Sequence, residues 1–161
     1  MVNEDIVVQI FILRHGQAEP YRADDETRKL VDKGIEDVKR VVQQASAALS
    51  QVERVLSSPY IRARETTNVA LPFLPVSAFD LHDWLEPSAS PGFAIAQLET
   101  LSASSVLLVS HQPLVSKLIE ALCGLLPGSV VMDTASLACI EADPVARDFG
   151  KLRWIKHAYP C

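Results

Sequence analysis

Two hydrophobic periods alternate along this chain, and each predicts a different kind of element. The run Ile6-Val7-Val8-Gln9-Ile10-Phe11-Ile12-Leu13 is β-branched and aromatic, which predicts a buried strand over 6–13. Beyond Asp32-Lys33-Gly34 the period lengthens: Ile35, Val38, Val41, Val42, Ala45 and Leu49 fall at helical spacing and share one face. A second short strand is expected over 51–57. Pro59 suits the first position of a helix and Ser58 its N-cap, so a helix should start there and run to about residue 70. Residues 76–80 read as a third, weaker strand, 91–101 as a helix, and 106–109 as a fully buried strand. Pro113 opens a further helix that ends at Cys123 with Gly124 as its stop. Residues 134–140 and 152–156 alternate as two closing strands, suited to an antiparallel pair. This order of elements predicts an α/β fold, a three-layer α/β/α sandwich around a mostly parallel central sheet.

Composition narrows the class. The chain has 161 residues, 48% of them hydrophobic and 22% charged, which suits one domain over 1–161 with a proper core. A formal net charge of −5 argues against nucleic acid or an anionic membrane as partner, since both attract a basic surface. It does not argue against one basic pocket. The start, Met1-Val2-Asn3-Glu4-Asp5, is acidic, and the apolar run after it is too short to span a bilayer, so we expect no signal peptide and no anchor. The three cysteines, Cys123, Cys139 and Cys161, are odd in number and far apart. We read them as reduced thiols of a cytoplasmic protein, without a disulfide frame or a zinc site.

Ligands of parallel α/β sheets bind beyond the carboxyl ends of the strands. Behind the first strand comes Arg14-His15-Gly16, behind the second Ser57-Ser58-Pro59 with Arg62 on the following helix, and behind the fourth Ser110-His111-Gln112-Pro113. Two histidines and two arginines thus reach one edge of the sheet. Arginine matches phosphoryl oxygens bidentately and keeps its charge, and helix N-termini favour anions. A neutral imidazole is a competent nucleophile for phosphorus, and a second histidine can stabilise the oxygens in transfer. Gly16 fits a point where the backbone approaches the ligand or takes a positive φ. No His and carboxylate cluster at metal-ligand spacing and no P-loop is present, so neither metal nor other cofactor is expected.

Leu13-Arg14-His15-Gly16, the stretch Ser58-Pro59-Tyr60-Ile61-Arg62-Ala63-Arg64-Glu65-Thr66, and Ser110-His111 resemble the motifs of the histidine phosphatase (phosphoglycerate mutase-like) superfamily. The resemblance implies His15 as the transiently phosphorylated nucleophile, Arg14 and Arg62 as phosphate clamps, and His111 as a further pocket residue, with Gly16 beside them. The interval between Thr66 and Ser110 leaves no room for the helical lid of larger members. In this the chain is similar to the compact SixA branch, which removes phosphoryl groups from phosphohistidine on signalling proteins. Arg28-Lys29-Leu30-Val31-Asp32-Lys33-Gly34 also resembles that branch's R-P-L-T-x-x-G, with Lys29 for proline and Val31 for threonine. The implied partner is a phosphohistidine-containing phosphotransfer protein, and the implied product inorganic phosphate.

Two other readings share these residues. A phosphatase of small phosphoesters would need an acid for an alkoxide leaving group, and only Asp83 and Glu86 are candidates. A phosphate-binding module without catalysis would use the same pocket but would not need His15 beside Arg14. Arg62 and Arg64 lie on nearly opposite helix faces, so at most one faces the pocket, and the motif selects Arg62. His82 and His157 are read as structural or exposed, Asp24-Asp25-Glu26 as a solvated loop near the site mouth, and Ser57 and Ser58 as candidates for a further phosphate hydrogen bond, with N-capping the favoured role for Ser58.

Overall fold

Alternation within the first strand sets the layering. In the computed structural model, which describes residues 7–159, strand β1 spans Val8–Arg14. Ile10 and Ile12 point into one core, Phe11 and Leu13 into another, and all four are fully buried. The expected start of this strand at Ile6 and the residue Cys161 lie outside the described residues.

Four helices and five further strands complete the fold: α1 Asp32–Gln44, β2 Arg54–Ser57, α2 Ile61–Ala70, β3 Asp80–Leu81, α3 Pro91–Glu99, β4 Ser105–Ser110, α4 Leu114–Cys123, β5 Leu137–Ala142 and β6 Gly150–Lys156. The six strands form one sheet in the order β3-β2-β4-β1-β5-β6. β3, β2, β4 and β1 pair parallel, while β5 runs antiparallel to both β1 and β6. The three-layer sandwich is therefore present, on a mixed sheet whose parallel part carries the site. Val38, Val41 and Val42 of α1 and Ala63 of α2 pack against Phe11, Leu13, Leu107 and Val109. On the other face Ile95 and Leu98 of α3 and Leu118, Ile119 and Leu122 of α4 meet Ile10, Ile12 and Leu108. Such side chains contribute roughly 1.5–3 kcal/mol each on burial, so both faces hold the parallel strands rigidly.

Three expectations are corrected. The third strand is only Asp80–Leu81, because Val76 and Phe79 pack against the α2-side core instead of joining the ladder. Ser58 is not an N-cap: α2 begins at Ile61, and Tyr60 stands at the cap without a side-chain bond. The fifth strand starts at Leu137, because Ala135 adopts φ 62° in the turn before it. Gly124, at φ 64°, ends α4 in the left-handed conformation that glycine allows at least cost. No helix of the described residues is long and apolar enough to cross a membrane. Cys123 and Cys139 are free, and burial pushes each thiol up to about 11.

Candidate active site

Register brings three strand ends together. Arg14 lies opposite Ser110 across β1 and β4, and Ser57 opposite Val109 across β2 and β4. The ladder continues one residue beyond the strands, with His15 N donating to the Ser110 carbonyl and Ser58 N to the Val109 carbonyl, each at 3.0 Å. His15, Ser58 and His111 are thus carried by backbone fixed in the sheet, and all three are buried.

His15 is held in one tautomer. Its Nδ1–H donates to the Gly16 carbonyl at 2.7 Å, which leaves Nε2 unprotonated, and Arg62 Nε donates to the Nε2 lone pair at 3.3 Å. Burial lowers the ring pKa to about 3, with the charges of Arg62, Arg14 and Arg28 adding to the effect against the Gly16 hydrogen bond. The imidazole is neutral at physiological pH, and its nucleophilic nitrogen faces a cation.

His111 stands across the pocket, its ring centroid 5.0 Å from that of His15. Its Nε2 pairs with Ser58 Oγ at 2.7 Å, and its Nδ1 is buried without a partner. Burial, then repulsion from His15 once that ring is protonated and from Arg62, Arg14 and Arg28, brings its pKa to about 2. Ser58 therefore positions a pocket histidine, which is what replaces its expected capping role. Ser57 Oγ is spent on the Ser58 carbonyl.

Arg62, 3% exposed, projects from the first turn of α2, while Arg64 points to solvent. Arg14 reaches the pocket from the other side, with Nη1 donating to the Met132 carbonyl at 2.8 Å and Nε buried without a partner. Buried unpartnered donors of this kind are costly unless an anion completes them.

The sequence reading missed several contributors. Thr66 Oγ1 accepts from Gly16 N at 3.1 Å and donates to the Arg62 carbonyl at 2.8 Å, which locks the first motif onto the second. Gly16 does not have positive φ; a Cβ there would meet the Gly34 carbonyl oxygen at 2.6 Å, so the glycine lets two backbone segments pack against each other beside His15. Asp25, expected in a solvated loop, accepts from Arg28 Nε at 2.7 Å and Arg62 Nη2 at 3.2 Å. The Tyr60 ring packs edge-on to His111 at 5.0 Å and under the Arg62 guanidinium at 5.0 Å. A signal for Thr66 existed in the second motif; nothing in the acidic run singled out Asp25.

The two candidate acids do not join the cluster. Asp83 is exposed, and neither it nor Glu86 hydrogen-bonds to a site residue. Glu86 borders the rim, where with Glu26 and Asp25 it adds to burial in raising the Tyr60 phenol pKa. His82 packs near Trp84, whereas His157 bonds Ser136 Oγ at 2.6 Å and lines a cleft of about 370 Å³ beside Arg14. Among the described residues no group of three or more His, Cys, Asp or Glu side chains is placed to hold a metal ion.

A neutral, tautomer-fixed imidazole between two arginines, on the carboxyl edge of an α/β sheet, is the equipment of a phosphoryl-transfer enzyme. The chain belongs to the histidine phosphatase superfamily (branch 1), whose family model matches residues 10–86, and is a phosphatase. It is 34% identical over 143 residues to phosphohistidine phosphatase SixA of Escherichia coli (strain K12), covering 84% of this chain and 86% of that one. The SixA homolog of Haemophilus influenzae (strain ATCC 51907 / DSM 11121 / KW20 / Rd) is 34% identical over 128 residues, covering 73% and 78%. The solved structure of the protein histidine phosphatase SixA complexed with tungstate superposes with a TM-score of 0.84 at 30% identity, over 94% of this chain and 97% of that one.

Proposed function

We propose that this chain is a single-domain, cytoplasmic phosphohistidine phosphatase that takes the phosphoryl group from a phosphohistidine-containing protein onto His15. The observation that carries the mechanism is the pair of hydrogen bonds that leave His15 Nε2 as an unprotonated nucleophile facing Arg62. In the first step Nε2 bonds to phosphorus as the substrate's P–N bond breaks, and the departing imidazole takes a proton. In the second, water attacks phospho-His15, releases inorganic phosphate, and returns the neutral ring. Arg14, Arg62 and the Gly16 segment surround the equatorial oxygens. His111 supplies the further contact, its unpartnered Nδ1 or its Ser58-bound Nε2 turning toward the anion.

Two features support a protein substrate. The relatives named above are phosphohistidine phosphatases, and tungstate, bound in one of them, is a tetrahedral oxyanion like phosphate. The segment between α2 and β4 is consumed by β3, short turns and α3, so it holds no additional α-helix to form a lid over the pocket. Cys123 and Cys139 suit a compartment where thiols stay reduced. Brief, quenched incubation with a phosphohistidine domain labelled on phosphorus should transfer label to His15 as an acid-labile, base-stable adduct. His15→Ala should accumulate none and turn over nothing. Substantial turnover by that variant would remove the mechanism.

A further inference from the structure

One acidic side chain beside the pocket has no role in the mechanism above. A guanidinium is a planar fork with two donor edges, Nη1–Nη2 and Nε–Nη2. In Arg62 the first edge is taken by a single residue: Nη1 donates to the Asp25 carbonyl at 2.7 Å and Nη2 to Asp25 Oδ2 at 3.2 Å. The second edge carries Nε, which lies 3.3 Å from His15 Nε2. The other oxygen, Asp25 Oδ1, accepts from Arg28 Nε at 2.7 Å, and Arg28 Nη1 is anchored on the Glu19 carbonyl at 2.8 Å. One half-buried carboxylate thus joins two cations that would otherwise repel each other.

We propose that Asp25 is a positioning residue of the phosphoryl site. It holds Arg62 by its outer edge so that the Nε–Nη2 edge is presented to a phosphoryl group arriving at His15, and it keeps Arg28 beside Arg62 as a third positive charge of the pocket. This rests on the reading of His15 as nucleophile and Arg62 as phosphate clamp. Attachment of the β1–α1 loop does not need Asp25, because Glu65 Oε1 accepts from Leu30 N at 2.9 Å, Val31 N donates to the Gln17 carbonyl at 3.0 Å, and Ala18 bridges Leu30. The ionisation state agrees with the geometry. Burial would raise the Asp25 pKa, but the hydrogen bonds and charges of Arg28 and Arg62 outweigh it and hold the carboxyl below its usual range. Asp25 is therefore anionic wherever the enzyme works.

The test compares Asp25→Asn, Asp25→Ala, Arg62→Lys and the double variant Asp25→Ala/Arg62→Lys. Turnover is measured with p-nitrophenyl phosphate and affinity by direct titration with vanadate, so neither readout depends on the identity of the protein substrate. Loss of a charge-assisted contact predicts that Asp25→Asn lowers kcat/KM roughly tenfold and weakens vanadate in parallel. In the Arg62→Lys background, where no fork remains to be oriented, Asp25→Ala should cost less than about twofold. A role confined to loop folding would cost the same factor in both backgrounds, and that result overturns the proposal. So does an Asp25→Asn enzyme within about twofold of wild type when Arg62→Lys is itself costly. A silent Arg62→Lys would bring down the site reading and this proposal together. Asp25→Asn is nearly isosteric and carries the test where the alanine variant fails to fold.

Discussion

Around the pocket, the wall made by α2 and the β1–α1 loop and the wall made by Tyr60, His111 and the segment after β3 differ in how their side chains are held. On the first, Arg62, Asp25, Arg28, Thr66 and Gly16 are bonded to one another through side chains, so the groups around His15 Nε2 have little freedom left. On the second, the backbone is pinned, with Ser110 Oγ donating to the Leu85 carbonyl at 2.6 Å and His82 N to the Ser57 carbonyl at 2.9 Å. Its side chains are looser: His111 Nδ1 has no partner, Glu86 is half-buried and Asp83 is exposed. A site with donors fixed where charge develops and no fixed acid where the leaving group departs favours a leaving group that needs little help.

The rigid wall gives the largest expected effect. Arg62→Lys keeps the charge and loses the fork, so kcat/KM should fall about tenfold to a hundredfold. Arg64→Lys, on the exposed face of the same helix, should stay within about twofold. Steady-state kinetics on both variants check this, and the opposite pattern would mean that the wall described as rigid is not the one that binds the phosphoryl group.

Acid stability asks whether the two walls are equally dry. His15 and His111 stand on opposite walls, with pKa values of about 3 and about 2, below the ~6.5 of an unfolded histidine. Between those values the unfolded chain binds the extra protons, so stability rises with pH there. It is complete above pH ~6.5 and is lost as pH falls toward 3, with each ring adding a slope of up to about 1.4 kcal/mol per pH unit. The Tm should therefore drop steadily from about pH 6.5 to 5, before most carboxylates titrate, and His111→Asn should flatten part of that drop. A wild-type Tm that is level across this interval would show both walls to be wet.

What the sequence made legible follows from how local each signal is. β1, β4 and α4 are long, apolar and bounded by turn residues, and their limits shift by only a residue or two in the structure. β3 shrinks to Asp80–Leu81 because the apolar residues before it are claimed by a tertiary contact that no local pattern encodes. In the candidate site, Arg14, His15, Arg62 and His111 could be named because each ends or follows a strand or sits in the first turn of a helix. Asp25 could not, since its partners lie 37 residues away on α2 and three away in its own loop. Ser58 was misassigned for a related reason: the serine before a proline resembles an N-cap, but the 53-residue separation to His111 decides its use.

The looser wall gives the smallest effect and the sharpest decision about substrate. Phosphohistidine releases an imidazole whose conjugate acid has a pKa of about 6.5, so solvent can supply the proton. A sugar phosphate releases a far more basic alkoxide and needs an acid held in place through the transition state, an effect usually of 10²–10⁴-fold. Asp83 is exposed, and Glu86, at the rim, acts on Tyr60 through its charge. With a phosphohistidine domain as substrate, Glu86→Gln and Asp83→Asn should each stay within roughly tenfold of wild type, below what a true general acid contributes. The wild type should be slow on sugar phosphates and moderate on p-nitrophenyl phosphate, whose leaving group is stable without a proton. If it instead hydrolyses a sugar phosphate faster than the phosphohistidine domain, and Glu86→Gln removes that activity, then Glu86 swings into the pocket when substrate binds. The looser wall would then carry the acid, and the enzyme would be a small-ester phosphatase with a compact site.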